Sequence, residues 1–401
     1  MSDKNTSNQT PRSDRLHIAI FGKRNAGKSS LINAITNQNT AIVSDTAGTT
    51  ADPVYKAMEI HPLGPCVLID TAGFDDVGTL GELRIQKTDS VTQKTDIAIM
   101  VFADTDFEHE KIWIDKLKKS GIPILAVINK IDVIDNADEI ERKIKKEFSL
   151  DAIKVSSINK TGIGKIKDEL ARIMPEGFCS SSIAGHLIDK NDVVLLVMPQ
   201  DIQAPKGRLI LPQVQTIRDL LDGKAVVLCC TTDCMQQALD SLKAAPKLII
   251  TDSQVFDVVY KLKPEESLLT SFSVLFARHK GDIDEFVRGA AAIDALTSND
   301  RVLIAEACTH APLTEDIGRV KLPRLLRKHV GESLSVDVVS GNDFPDDLSP
   351  YSLIIHCGAC MFNRRYVMSR IESAKNANVP ITNYGVALAK LNGILDKIET
   401  Y

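Results

Sequence analysis

Apolar runs four to six residues long recur along the chain, and between them the apolar positions repeat at spacings of three and four. The first run is Leu16-His17-Ile18-Ala19-Ile20-Phe21, followed by a helical pattern over Leu31-Ile32-Asn33-Ala34-Ile35. Cys66-Val67-Leu68-Ile69 and Ile124-Leu125-Ala126-Val127-Ile128 repeat the strand pattern. Strands that are apolar throughout are buried on both faces, and their alternation with helices marks parallel sheets covered by helices. The expectation is an α/β protein with mainly parallel sheets, built as one domain followed by two more.

The breaks in the pattern give the boundaries. Residues 1–14 are polar and read as a solvated tail. The first domain spans 15–174, and Pro175-Glu176-Gly177 reads as a linker. In the second, 178–268, apolar runs at 193–198, 225–228 and 247–251 alternate with helical patterns at 213–221 and 235–242. It holds no phosphate loop and no paired acid and base, so packing or dimerisation is its expected role. The third, 269–401, reads as helix 282–296, strand 302–305, helix 322–330, strands 336–339 and 353–355, and helices 361–377 and 385–399.

Composition narrows the class. The 401 residues carry 48 basic and 53 acidic side chains, a formal net charge of −5, which gives no general attraction to nucleic acid. No apolar run approaches membrane-spanning length, and the amino terminus has no signal-peptide pattern. Eight cysteines in so long a chain do not make a disulfide scaffold. Cys229 and Cys230 end an apolar run and are expected in a core. A reducing, cytoplasmic setting is expected.

The chemistry begins where the first strand ends. Gly22-Lys23-Arg24-Asn25-Ala26-Gly27-Lys28-Ser29 stands between strand and helix, the context a phosphate-binding loop requires. Its glycines let backbone N–H groups turn inward around phosphates, and the helix amino terminus favours the same anion. Lys28 places a charge on the β and γ phosphates, Ser29 offers a hydroxyl to Mg²⁺, and Ser30 follows in the same turn. Asp70-Thr71-Ala72-Gly73 ends the second strand: Asp70 reads as the carboxylate behind Mg²⁺, and Gly73 N–H as the γ-phosphate contact. Asn129-Lys130-Ile131-Asp132 ends a third. A carboxylate at Asp132 accepts two N–H bonds from guanine that adenine does not offer. Val155-Ser156-Ser157 would close over the base. In this order the motifs predict GTP binding and hydrolysis.

A second constellation lies near the other end. Cys308-Thr309-His310 follows one apolar run and His356-Cys357-Gly358-Ala359-Cys360 another. Both would leave the carboxyl ends of strands, where open α/β sheets place their sites. Gly358 is expected to supply the bend that a Cys-x-x-Cys turn needs. Three thiols and two imidazoles fit either an iron–sulfur cluster or Zn²⁺, with the cluster favoured because one thiol stands alone and two histidines compete for a fourth place. The plain alternative for His310 and His356 is hydrogen bonding to the loop backbone.

Residues 16–173 resemble the small GTPase domain of the Era, EngA and MnmE group, on Asn25-Ala26-Gly27-Lys28-Ser29-Ser30-Leu31-Ile32-Asn33 and Asp45-Thr46-Ala47-Gly48-Thr49-Thr50. The resemblance implies Thr50, with Thr49 as the alternative, as the switch threonine on Mg²⁺, and Asn25 as a contact to K⁺. Phe74 follows Gly73, so no glutamine stands ready to orient water. Glu82, 12 residues beyond Asp70, occupies a place similar to the water-orienting glutamate of MnmE; its alternative is a solvated acidic residue. Slow, K⁺-assisted hydrolysis is implied.

With the cysteine motifs added, nearly the whole chain resembles the [FeFe]-hydrogenase maturation GTPases. That resemblance implies a homodimeric scaffold and carrier holding a [4Fe-4S] cluster through Cys308, Cys357 and Cys360, with His310 and His356 as alternative or auxiliary ligands. It implies a transient di-iron precursor made with the radical-SAM maturases HydE and HydG and delivered to apo-hydrogenase. An RNA- or ribosome-associated Era-like switch and a zinc-containing GTPase switch are the alternatives. The net charge and the want of a basic Gly-x-x-Gly segment speak against the first.

Overall fold

The computed structural model describes residues 11–37, 53–73, 88–175, 178, 182–199, 209–307, 316–341, 343–359 and 362–400. It divides into two units, residues 1–180 and 181–401.

In the first unit, strands β1 (Leu16–Gly22), β2 (Val54–Ile60), β3 (Gly64–Asp70), β4 (Ile97–Phe102), β5 (Ile124–Ile128) and β6 (Ala152–Lys154) form one sheet in the order β2-β3-β1-β4-β5-β6. All pairings are parallel except that of β2 with β3. Every residue of β1 and β4 is buried, as their unbroken apolar sequences require. The period of two then sorts β1 between two cores. Ile18 and Ile20 join Leu31 and Ile35 of helix α1 (Lys28–Thr36) on one side. Ala19 and Phe21 join Trp113 and Ile114 of α2 (Glu108–Lys119) and Ile140 and Ile144 of α3 (Ala137–Phe148) on the other. Helix α4 (Ile163–Arg172) buries Ile166 and Leu170 on the α1 side. Strand β1 is flanked by β3 and β4, so the strand order reverses about its carboxyl end, where such sheets open a crevice.

The second unit holds two parallel four-stranded sheets. One runs β10-β9-β7-β8, from β7 (Val193–Val197), β8 (Val226–Cys230), β9 (Leu248–Thr251) and β10 (Leu268–Ser271). The other runs β12-β11-β13-β14, from β11 (Arg301–Glu306), β12 (Ser335–Ser340), β13 (Leu353–His356) and β14 (Ile381–Asn383). The helices are α5 (Leu211–Asp222), α6 (Met235–Asp240), α7 (Phe256–Leu262), α8 (Phe272–Lys280), α9 (Ile283–Ala291), α10 (Leu322–Val330), α11 (Arg364–Asn376) and α12 (Tyr384–Leu391). Leu195 and Ile249 of the first sheet and Leu303 and Ile354 of the second belong to one core, with Val274 of α8 and Phe286 of α9 between them. A Cβ at Gly289 would lie 1.9 Å from the Ile381 carbonyl, so glycine is what lets α9 approach β14. Beyond α12, Glu399 N–H donates to Leu269 O of β10 at 2.8 Å.

Of Cys229 and Cys230, both expected in a core, only Cys230 packs against one. Strand β8 is the edge of its sheet; Cys229 is exposed and Cys230 half-buried. One flank and one face of an edge strand meet solvent whatever its composition.

Candidate functional site

The loop after β1 takes its shape from left-handed backbone at two places. Gly27 (φ 89°) caps α1, and Asn25 adopts φ 58°, a region open to asparagine at small cost. Lys28 is buried and its amine donates to the Gly22 and Lys23 carbonyls at 2.9 Å each, so it lies inside the loop's concave face. Ser29 Oγ donates to Asp70 Oδ2 at 2.6 Å. Asp70 is 5% exposed; burial raises its pKa, opposed by the Ser29 bond and the Lys28 charge. A hydroxyl and a carboxylate thus converge from α1 and β3 beside the loop, a donor pair suited to one Mg²⁺. Gly73 packs on the same loop: a Cβ there would stand 2.8 Å from Arg24 N.

Asn129 has a structural task. Its Nδ2 donates to Ala26 O at 3.0 Å, and its Oδ1 accepts from Ser157 N–H at 3.2 Å and Ser157 Oγ at 2.9 Å. One buried side chain therefore fixes the phosphate loop to the 155–157 loop, while Asp132, three residues on, is exposed and available to a ligand. A Cβ at Gly27 would fall 2.3 Å from Asn129 Nδ2, which explains the glycine by contact as well as by φ. Ser156 is buried and its Oγ accepts from Asn159 N–H. Lys130 has φ 64° and, with Lys23, Arg24, Asn25 and Ala26, lines a cleft of about 330 Å³. Thr49, Thr50 and Glu82 lie outside the described residues.

One group here carries no motif. Glu110 of α2 is 2% exposed, 3.8 Å from the Lys23 amine, which also meets Asp104 and Asp106. Burial pushes its carboxyl up to about 7 against the pull of Lys23. A carboxyl raised on folding means that the native state binds more protons, so its contribution to stability falls as pH rises from about 4.5 to about 7. Glu110→Gln should flatten the pH dependence of thermal unfolding of the first unit between pH 5 and 8; an unchanged slope would show that Glu110 is ionised throughout.

In the second unit, β11 and β13 are neighbours, and β12 and β14 lie outside them, so the strand order reverses between their carboxyl ends. Both cysteine motifs leave this point. Ala307 N–H donates to Cys357 Sγ at 3.0 Å, and Cys357 N–H donates to Ala305 O at 2.9 Å. The residue before Cys308 thus touches the Cys357 sulfur. The left-handed bend expected at Gly358 falls instead at Ala359 (φ 47°), which is buried and directly precedes Cys360. Lys280 of α8, 3% exposed, fastens this loop by donating to Phe362 O at 3.1 Å. Cys308, His310 and Cys360 lie outside the described residues.

His356 is fully buried, with both ring nitrogens engaged. Nδ1 lies 2.6 Å from Cys357 O and therefore carries the proton; Nε2 accepts from Arg370 Nη1 at 3.0 Å. Burial, then the Arg370 charge, push its pKa down to about 3 against the Cys357 carbonyl. Arg370 itself was beyond sequence reasoning, because an arginine in an amphipathic helix reads as solvated. Asp316 and Glu306 are both buried. Asp316 caps a π-helical turn at Ile317–Lys321, and Glu306 accepts from Arg319 at 3.1 Å.

Strand, phosphate loop, Asp70 paired to Ser29 and Asn129 bracing the loop together define a P-loop GTPase, and residues 17–130 match the 50S ribosome-binding GTPase family. Residues 183–281 match the hydrogen maturase F dimerization domain and residues 284–399 the hydrogen maturase F tetramerization domain. The chain belongs to the hydrogen maturase F family. Among curated relatives, it is 35% identical over 193 residues to tRNA modification GTPase MnmE of Endomicrobium trichonymphae, covering 45% of this chain and 38% of that one. It is 34% identical over 173 residues to GTPase Der of Wolinella succinogenes, covering 39% and 36%. The chain thus spans under two fifths of the length of these relatives. An Aquifex aeolicus Era structure bound to GDP and aluminium fluoride is similar at 17% identity and TM-score 0.36, over 63% of this chain and 99% of that one.

Proposed function

We propose that this protein is a GTP-hydrolysing scaffold that carries a [4Fe-4S] cluster and a transient di-iron precursor and delivers the precursor to apo-[FeFe]-hydrogenase. The observation that carries the reading is the Ala307 N–H bond to the Cys357 sulfur, at the carboxyl ends of the neighbouring strands β11 and β13, in a chain with two hydrogen maturase F domains. Amide bonds to sulfur are what cluster thiolates receive, and a crevice at a strand-order reversal admits a ligand. The donor set fits: Cys308, Cys357 and Cys360 would hold the cluster, leaving one iron position exchangeable. The cluster would supply that position as a docking point. His310 is the better candidate for the fourth place, since both nitrogens of His356 are committed within the protein.

In the first unit, Ser29, Asp70 and Thr50 would serve Mg²⁺, Lys28 and Gly73 the phosphates, Asp132 the guanine, and Glu82 the attacking water. Asn25 would hold K⁺ in place of a cationic finger. The homodimer would use the edge strand β8, where Val226 is 54% exposed and Cys229 faces solvent. HydE, HydG and apo-hydrogenase are the expected partners. No helix among the described residues is long and apolar enough to cross a membrane.

Anaerobic purification tests the reading. Bound iron with labile sulfide is expected, together with slow turnover selective for GTP that is faster in K⁺ than in Na⁺ and loses that difference in Asn25→Ala. Stoichiometric zinc without sulfide would instead favour the zinc-containing switch, and equal rates in the two salts would remove K⁺ from the account.

A further inference from the structure

Arg370 is the most deeply buried arginine beside the cysteine crevice, at 2% exposure. Among the described residues its hydrogen-bond partners are all neutral. Nη1 donates to His356 Nε2 at 3.0 Å, and Nη2 donates to Gly341 O at 2.6 Å and Tyr366 Oη at 2.5 Å. The guanidinium carbon lies 4.7 and 4.5 Å from the ring centres of Phe344 and Tyr366, neither of which carries a neutralising charge. Nε is buried and has no hydrogen-bond partner among the described residues. No carboxylate stands among its hydrogen-bond or ring contacts within the described residues.

A guanidinium at this depth with no anion costs several kcal/mol, and proteins keep such a charge where a negative group completes the site. The hydrogen-bond network from Arg370 leads to Cys357: Arg370 donates to His356 Nε2, and His356 Nδ1 donates to the Cys357 carbonyl. The Cys357 sulfur already accepts from the Ala307 amide, a bond that strengthens when sulfur is a thiolate. A second buried cation, Lys280, lies against the same loop through the Phe362 and Ala359 carbonyls.

We propose that Arg370 is the built-in counter-charge of an anionic, thiolate-held iron–sulfur cluster at Cys357, and that through His356 it positions the Cys357 backbone for that cluster. The inference rests on the cluster reading above. A fixed positive charge stabilises the more negative, reduced form, so Arg370 raises the cluster's reduction potential. It also answers why the chain retains a charged side chain beside two aromatic rings: with the cluster bound, the site is a charge pair and not an orphan.

The test is a redox titration, followed by EPR, of the full-length protein reconstituted anaerobically with iron and sulfide. Iron and sulfide uptake by the wild-type protein is read first; its failure refutes the cluster reading and is distinct from failure of this one. Arg370→Met should lower the reduction potential, by at least the tenfold change in the equilibrium constant that corresponds to about 59 mV for one electron. Arg370→Lys, which keeps charge without the fork, should restore most of that shift. Equal potentials in wild-type and Arg370→Met proteins overturn the proposal. If the methionine form does not fold, Arg370→Gln is measured with the same two outcomes. If only the lysine form folds, wild-type iron content and potential support the counter-charge, and a potential as low as expected for Arg370→Met overturns it. Loss of folding in all three variants also overturns it, because the guanidinium would then be a brace and not a counter-charge.

Discussion

Lys28→Ala protein should lose GTP turnover by about 100-fold or more and keep its iron. Lys28 is the buried lysine of the phosphate loop, its amine held by two loop carbonyls, and its charge would meet the β and γ phosphates. Removing a preorganised donor from developing charge costs ~2.7–4 kcal/mol in catalysis. The iron should stay because the cysteines belong to the other unit, with a core of its own. Asp132→Ala should act on selection instead. It leaves two guanine donors unpaired, each charge-assisted bond being worth ~1.5–3 kcal/mol, so preference for GTP over other nucleotides collapses. The check is steady-state hydrolysis and iron content on the same preparations. Iron lost in Lys28→Ala would mean that the GTPase unit builds the metal site.

The second large effect is expected at the crevice. Cys308→Ser, Cys357→Ser and Cys360→Ser should each lose most bound iron, since a hydroxyl is a far poorer ligand for cluster iron than a thiolate. Cys357→Ser should also weaken the contact from Ala307 N–H that joins β11's end to β13's. The histidines should behave differently. His310→Ala should keep much of the iron and change the EPR signature. His356→Ala should keep the thiolates but leave the Cys357 carbonyl and Arg370 Nη1 without their buried partner, lowering the stability of the second unit by ~1–3 kcal/mol. Iron analysis and thermal unfolding separate these outcomes. Complete iron loss in both histidine variants would make the site a closed one, with no exchangeable position.

The strands that carry the motifs were legible because each holds an apolar run: β1, β3, β5, β11 and β13 all stand where the runs place them. Glycine and proline punctuation gave the turns. Several elements were not read, two of them for clear physical reasons. Strand β2 (Val54–Ile60) is an antiparallel edge, mostly exposed, and its sequence mixes lysine and glutamate among apolar residues. Helix α8 (Phe272–Lys280) is buried nearly all round, so it has no polar face to announce a helical period. The sharing of one core by two sheets follows from α8 and α9 lying between them, a tertiary fact with no local trace. At the sites, the residue types showed what could bind, but not who holds whom. Asn129 reads as part of the guanine motif, and the structure adds that it braces the phosphate loop. His356 reads as a metal ligand and proves to be tied at both nitrogens by Cys357 and Arg370. Burial and the partner of each nitrogen decide such roles, and neither is written in a motif.

The central claim is that one chain couples a GTPase to a carrier of a di-iron precursor. The most direct measurement is H₂ evolution by purified apo-[FeFe]-hydrogenase after mixing with this protein, itself purified anaerobically from cells co-expressing HydE and HydG. The account predicts activation by that preparation and none by Cys357→Ser protein treated identically. A wild-type preparation that carries its cluster and hydrolyses GTP, yet leaves the hydrogenase inactive, would contradict it.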